Sequence, residues 1–319
     1  MGRRRATFVP MVLTGCLIAL SLVWTPVSAT AKPRLRFGAF VPSSPQSGMG
    51  GVHDLEDALG RRLDIVMFYQ AWGDVSDPGL HPEWLSEATQ GGRDVVVTWE
   101  PWVPDGPVDQ PEYRLRRIVD GDLDSYIRSW ARGLRAFSGR VYLRPMHEMN
   151  GNWYPWSGVT NGNSPSLFRS AWRHIFDVFH RVGADNVRWV WSPNAVDVPA
   201  SNQFERYYPG DRYVDVVALD GYNWGTCVEQ YGGWQSFSHI FGSAYRRLTE
   251  LTSKPVWIAE TASAPDGGNK ARWVDKMFDS IAQGLPRLRA VVWFDAQKEC
   301  DWRLTNPDQA VAIARRRLT

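Results

Sequence analysis

Eight short apolar runs, separated by stretches of helical periodicity, restrict this 319-residue chain to a small set of folds. The runs are Leu35–Phe40, Ile65–Tyr69, Val95–Trp99, Val141–Leu143, Val187–Trp191, Val214–Leu219, Val256–Ala259 and Ala290–Phe294. Most are continuously apolar, as expected of parallel strands covered by helices. Between them, Leu123, Ile127, Trp130, Leu134 and Phe137 share one helical face, and so do Phe168, Ala171, Trp172, Ile175, Phe176 and Phe179. Phe241, Ala244, Tyr245 and Leu248 repeat the pattern, as do Val274, Met277, Phe278 and Ile281. Ser164-Pro165 offers a cap and a first-turn proline. Asn306-Pro307 reads the same way before a last helix over about Asp308 to Leu318. Strand then helix, eight times, predicts an α/β chain that forms a single (β/α)8 TIM barrel or a large doubly wound sheet. The barrel is preferred because no strand runs into a glycine-rich dinucleotide fingerprint. Gly48-Met49-Gly50-Gly51 lacks that spacing and reads as a flexible first loop.

The first 29 residues are read as a signal peptide and residues 30–319 as one catalytic domain. Three arginines lie within Met1 to Arg5, an apolar run follows from Phe8 to about Val27, and Val27-Ser28-Ala29 fits a small-x-small cleavage site. The run also suits a membrane anchor, but Pro26 and the small residues favour cleavage. Leu13-Thr14-Gly15-Cys16 resembles a lipoprotein box, so anchoring through Cys16 is the alternative to a secreted product. The arginine run leaves twin-arginine export open. Loss of the leader, with its three arginines and no acid, takes the net charge from +2 to −1. A near-neutral chain offers no basic field for nucleic acid or for an anionic membrane. Two cysteines remain, Cys227 and Cys300, and an even pair in an exported chain suggests a disulfide. Two unrelated buried thiols are the other reading. About 290 residues then remain, an ordinary size for one barrel.

The chemistry concentrates where apolar runs end. Val141-Tyr142-Leu143 leads into Arg144-Pro145-Met146-His147-Glu148-Met149-Asn150-Gly151, and Val256-Trp257-Ile258-Ala259 runs straight into Glu260. Polar groups at the edge of a core are expensive to bury without a purpose. In a barrel all C-terminal strand ends open on one face, and strands four and seven lie across that mouth from each other. Paired glutamates there can serve as acid/base and nucleophile of a retaining glycosidase. Ordinary salt bridges to arginine would explain one such glutamate more easily than two. Tyr222, at the end of strand six, is available to donate to Glu260 and hold it ionised. Glu148 lies near His147, Trp153, Tyr154 and Trp156.

Other chemistries fit less well. His147-Glu148 would need a second histidine at 151 to form H-E-x-x-H, and that position is glycine, so no metal site is expected. The nucleophile elbow G-x-S-x-G is absent from the sequence. All but Trp24 of the seventeen tryptophans lie beyond the leader. Several sit at strand ends, in Trp99-Glu100-Pro101-Trp102, Trp191-Ser192-Pro193-Asn194, Asp220-Gly221-Tyr222-Asn223-Trp224 and Trp293-Phe294-Asp295. Flat rings bind apolar sugar faces while amides and carboxylates read hydroxyls. Trp99, Glu100, Asn194, Trp156, Trp224 and Trp293 are therefore candidate substrate contacts, although any single tryptophan is as easily explained by core packing.

With these residues in view, the chain resembles glycoside hydrolase family 26, the family of β-mannanases and some β-glucanases. The resemblance rests on Arg144 to Trp153, on Trp191-Ser192-Pro193-Asn194, on Asp220-Gly221-Tyr222-Asn223 and on Lys254-Pro255-Val256-Trp257-Ile258-Ala259-Glu260. It implies a (β/α)8 barrel with Glu148 as acid/base and Glu260 as nucleophile. It further implies that His147 contacts the reacting sugar, that Tyr222 bonds the nucleophile, and that Trp153 and Trp293 wall the adjacent subsites. The run Trp153-Tyr154-Pro155-Trp156 departs from typical mannanases, and Asn223-Trp224 looks closer to the β-glucanase members. The expectation is a secreted, monomeric, cofactor-free endo-β-glycosidase of mannan or mixed-linkage β-glucan. A non-catalytic carbohydrate-binding barrel and a hydrolase trimming the cell's own polysaccharide are the alternatives.

Overall fold

In the computed structural model, which describes residues 1–3, 7, 34–73 and 79–319, eight parallel strands close on themselves in chain order. They are β1 (Arg36–Phe40), β2 (Ile65–Ala71), β3 (Asp94–Glu100), β4 (Val141–Pro145), β5 (Val187–Trp191), β6 (Val216–Asn223), β7 (Val256–Ser263) and β8 (Leu288–Phe294). Closure comes from the pairing of β1 with β8, Arg36 beside Ala290 through Phe40 beside Phe294. Residues Arg34–Thr319 form one compact unit. The apolar run read as part of a leader, the expected cleavage site and Cys16 lie outside the described residues.

Strand parity divides the apolar side chains into two cores. Ile65, Met67, Val96, Tyr142, Val190, Val216, Ala218, Trp257, Ala259, Ala290 and Val292 point inward and fill the barrel. Their neighbours, such as Val66, Val95, Val97, Leu143, Val217, Ile258 and Val291, point outward and pack beneath the helices. Gly38 takes an inward place on β1, where a Cβ would lie 2.6 Å from the Ile65 Cβ and carbonyl oxygen. A side chain there would force β1 away from β2.

The helices are α1 (Gly50–Leu59), α2 (Pro82–Thr89), α3 (Leu115–Val119), α4 (Asp124–Ala136), α5 (Pro165–Val182), α6 (Phe237–Leu251), α7 (Lys270–Gly284) and α8 (Asp308–Leu318). Ser164 caps α5 by accepting from the Leu167 amide, and Ser236 and Asn269 cap α6 and α7 in the same way. Three expectations need correction. The glycine stretch read as a loop opens α1, whose buried Val52, Leu55 and Leu59 supply the apolar face. Asn306 does not cap α8; Pro307 holds the cap position, and the Asn306 amide donates to Asp301 Oδ2 at 2.6 Å. Helices also do not follow every strand. β3 is followed by both α3 and α4, whereas β5 is followed only by short 3-10 turns at Phe204–Tyr207 and Asp211–Tyr213. That connection carries Pro193, Pro199 and Pro209, which interrupt helical hydrogen bonding.

The same parity reassigns two tryptophans. Trp99 follows Val95 and Val97 on the outward side of β3 and is fully buried. Its ring lies 4.4 Å from Trp72, 5.1 Å from Trp130 and 5.9 Å from Phe179. Trp293 points outward from β8, also fully buried, 6.2 Å from Trp273 of α7, and its Nε1 donates to the Trp302 carbonyl at 2.8 Å. Neither ring reaches the mouth, so neither is a sugar platform. Trp99→Ala should lower stability by about 3–5 kcal/mol through the cavity it opens. Urea unfolding would check this, and a loss below about 1 kcal/mol would contradict the packing role.

Candidate active site

The strand ends bring a dense polar cluster to one face of the barrel. Arg144, on β4, follows Tyr142 on the inward side and is completely buried. Its Nη1 donates to both Asp220 oxygens at 3.0 and 3.1 Å, its Nε donates to Thr98 Oγ1 at 3.0 Å, and its Nη2 donates to Glu260 Oε1. Ser192 Oγ adds bonds to Asp220 at 2.8 and 2.9 Å. Burial pushes the Asp220 carboxyl up, against the pull of Arg144.

Glu260 reaches this cluster because β7 is irregular. Leu219 and Asp220 of β6 face Ile258 and Glu260, so β7 carries one extra residue at Ala259. The offset against β8 is the same, Ile258 opposite Val291 and Thr261 opposite Trp293. Ala259 packs in the barrel interior, so strict alternation would turn Glu260 outward. The bulge resets the alternation and aims Glu260 into the mouth. Its Oε2 accepts from the Tyr222 hydroxyl at 2.5 Å. Burial alone would raise its carboxyl, but Arg144 opposes this, joined by the Tyr222 and Tyr69 hydroxyls, and the carboxyl is held down at about 2. Tyr69 and Tyr222 are themselves buried beside this carboxylate, which pushes their phenols up and keeps them as donors.

Glu148 lies in a different environment. Met146 and Glu148 both have positive φ, 53° and 51°, in the sharp turn that ends β4. The turn is held to both neighbouring strands: the Met146 amide donates to the Trp99 carbonyl at 3.1 Å and the Glu148 amide to the Ser192 carbonyl at 2.8 Å. The Glu148 carboxylate accepts from Asn194 Nδ2 at 2.7 Å and from Trp153 Nε1 at 2.9 Å. Burial, reinforced by the charge on Glu260, pushes it up to about 7 despite those donors. Asn194 is itself held by Asn150, whose Nδ2 donates to the Asn194 carbonyl at 2.9 Å and whose Oδ1 accepts from the Asn194 amide at 2.8 Å. Asn150 Nδ2 also donates to Asp197 Oδ1 at 2.8 Å, and Asp197 is paired with Arg247 of α6.

His147 sits between two carboxyls. Its Nε2 is 3.8 Å from Glu260 Oε1 and its Nδ1 is 3.7 Å from Glu100 Oε1, both beyond hydrogen-bond reach. Its Nδ1 is buried without a partner. Burial and the nearby Arg144 charge push the imidazole down to about 3, so it is neutral at ordinary pH. Glu100 ends β3, accepts from Trp102 Nε1 at 3.1 Å, and is pushed by burial up to about 8.

Trp153 and Trp224 are partly exposed at this face, as expected of contact residues. Trp156 is not: it is fully buried, its Nε1 bonds the His147 carbonyl at 2.6 Å, and it stacks on Tyr154 at 4.3 Å. Tyr154, partly exposed and 4.8 Å from the His147 ring, occupies the place the sequence reading gave to Trp156. The sequence reading also passed over Tyr69 and Trp302. Tyr69 continues the inward series Ile65, Met67, so strand parity could have found it. Trp302 packs 5.1 Å from Tyr222, at the end of a loop that nothing in the local sequence places. Cys227 and Cys300 form a disulfide between the β6 and β8 loops, with Cα atoms 6.0 Å apart.

Known proteins resemble this chain in sequence and in fold. The family described as Glycosyl hydrolase family 26 matches residues 86–289. Endoglucanase H of Acetivibrio thermocellus is 38% identical over 283 residues, 88% of this chain and 30% of that protein. The mannan endo-1,4-beta-mannosidase of Bacillus subtilis strain 168 is 32% identical over 206 residues, 59% of this chain and 50% of that one. The chain therefore spans at most about half the length of these two relatives. Among solved structures, Bacillus subtilis mannanase BCman shares the fold with a TM-score of 0.65 at 21% identity, over 89% of this chain and 85% of that one. The match over most of the barrel, together with the paired strand-end glutamates, makes this chain a member of glycosyl hydrolase family 26.

Proposed function

We propose that this protein is an exported, retaining endo-β-glycanase. One observation carries the reading: the two cleft glutamates are driven in opposite directions, Glu148 up to about 7 and Glu260 down to about 2. A double displacement needs one carboxyl protonated and the other ionised. Glu260 attacks the anomeric carbon while the Glu148 proton passes to the departing glycosidic oxygen. The C–O bond of the leaving sugar breaks as the ester to Glu260 forms. Glu148, now a carboxylate, takes a proton from water, which attacks the same carbon and frees Glu260. Neutral His147 and protonated Glu100 are available to read hydroxyls of the reacting sugar, and Trp153 and Tyr154 offer ring faces to it.

β-Glucan is the favoured substrate, on the similarity to Endoglucanase H and the Asn223-Trp224 pair. The mannosidase relatives make β-mannan the second reading. The disulfide supports export, because such bonds persist in oxidising compartments. Turnover of lichenan over mannan, xylan and cellulose in a common assay is the expected result. Activity on none of the four would leave the carbohydrate-binding alternative.

Variants separate the two glutamates. Glu260→Ala should abolish turnover of both polysaccharide and activated aryl glycoside. Glu148→Ala should lose at least about 10²–10⁴-fold on polysaccharide but keep the first step on an aryl glycoside with a good leaving group, and azide should rescue it. Azide rescue of Glu260→Ala with retained configuration would reverse the roles.

The pH profile follows from the same groups. Glu148 must be protonated, so activity falls as pH rises through about 7. The Asn194 amide favours the ionised form of Glu148. Asn194→Ala removes that donor and should move the alkaline limb of kcat to higher pH by about one unit. A limb that moves down, or stays in place, would show that Glu148 is not the group titrating.

A further inference from the structure

The aromatic contacts beside Glu260 continue along the loop that follows β6. Tyr222, which bonds Glu260, is followed two residues on by Trp224, with ring centres 5.9 Å apart. Tyr231 packs against Trp224, with ring centres 4.4 Å apart. Trp302 backs the inner part, 5.1 Å from Tyr222 and 5.0 Å from Trp224, and is itself buried. Tyr231 is different: 49% of its surface is open, a large exposure for a ring at the end of such a series. Exposed aromatic faces contiguous with a cleft have a use that isolated ones lack.

The loop that carries these rings is fastened on both sides. Towards β7, Gly225 has φ +55°, and a Cβ there would lie 1.9 Å from the Asp266 carbonyl oxygen. That close approach lets the Thr226 amide donate to the same carbonyl at 3.2 Å. Towards β8, the next residue, Cys227, is bonded to Cys300. A loop held at successive residues presents its rings in a fixed geometry, which lowers the ordering cost of binding.

We infer that Trp224 and Tyr231 form an outlying sugar-binding platform, for a unit of a β-linked glycan beyond the reacting one, held in place by the Cys227–Cys300 bond. The inference rests on the glycanase reading and extends it to substrate length. Pyranose rings present apolar C–H faces that lie against an aromatic ring, so the occupant is a neutral glycan chain continuing out of the cleft. The disulfide thereby serves affinity for long substrates as well as stability.

The experiment compares wild type, Tyr231→Ala, Tyr231→Phe and the double variant Cys227→Ser/Cys300→Ser on gluco- and manno-oligosaccharides of increasing length up to the hexasaccharide, with an aryl glycoside as the short substrate. Tyr231→Ala should raise the hexasaccharide KM about five- to tenfold, roughly one aromatic contact, with a much smaller change in kcat. Its loss on the hexasaccharide should exceed any loss on the aryl glycoside, and the sites of cleavage along the hexasaccharide should shift. Tyr231→Phe should restore the wild-type values, because the ring and not the hydroxyl binds. The double cysteine variant should raise the hexasaccharide KM in the same direction. A hexasaccharide KM for Tyr231→Ala within about twofold of wild type, or equal losses on long and short substrates, would overturn the platform. If wild type turns over no glycan, the functional reading falls instead. Calorimetric binding of the hexasaccharides then still reads the platform: weaker binding by Tyr231→Ala upholds it, and equal binding overturns it.

Discussion

One buried guanidinium organises the mouth of this barrel. Arg144 is wholly removed from water, and it faces Asp220 and Glu260 together with the hydroxyl of Thr98. Burying a cation is costly unless its partners are charged and well placed, and such a pair is weak evidence for stability by itself. Here its consequence is chemical. The positive charge keeps Glu260 ionised in a site whose burial would otherwise protonate it. The same charge, added to burial, keeps His147 neutral. Negative Glu260 then raises Glu148, already raised by burial. The opposite displacement of the two glutamates thus begins at Arg144 and passes outward through space.

That arrangement depends on four strands at once. Thr98 lies on β3, Arg144 on β4, Asp220 on β6 and Glu260 on β7. A guanidinium has donors in a fixed fork, so its partners must stand at fixed places. Barrel closure supplies them without flexible loops. The Glu148 side is less direct: Glu148 sits in a turn beyond β4, and its carboxylate is steadied by Asn194, which Asn150 ties down. Glu260 is placed by strands and Glu148 by a loop braced to its neighbour, in keeping with the proposed roles, in which Glu148 must both give and take a proton.

Much of this was legible in the sequence because it is a matter of period. All eight apolar runs became strands, since buried parallel strands need continuous apolar stretches. The strand ends were read too short at β6 and β7, where Asp220, Tyr222 and Glu260 are still in the ladder. Polar residues at a strand end look like a loop when only hydrophobicity is counted. The extra residue at Ala259 and the positive φ at Glu148 carry no such signature. Neither residue is a glycine or asparagine, the types that usually mark bulges and left-handed turns. Both irregularities sit at a catalytic candidate, where local geometry is held by surrounding contacts and not by local preference.

The tryptophans show how composition misleads when parity is ignored. A chain so rich in them invites a sugar-binding reading for each strand-end ring. Yet Trp99, Trp191 and Trp293 all stand at outward positions of their strands and are fully buried. Their role is to fill the wide space between barrel and helices, where a large rigid ring excludes water over much area at low entropic loss. Two tryptophans at the mouth, Trp153 and Trp224, lie beyond the ends of β4 and β6, on loops released from strand alternation. For these tryptophans, availability to substrate is set by whether the ring stands at an outward place in the ladder or past its end. Counting tryptophans establishes neither.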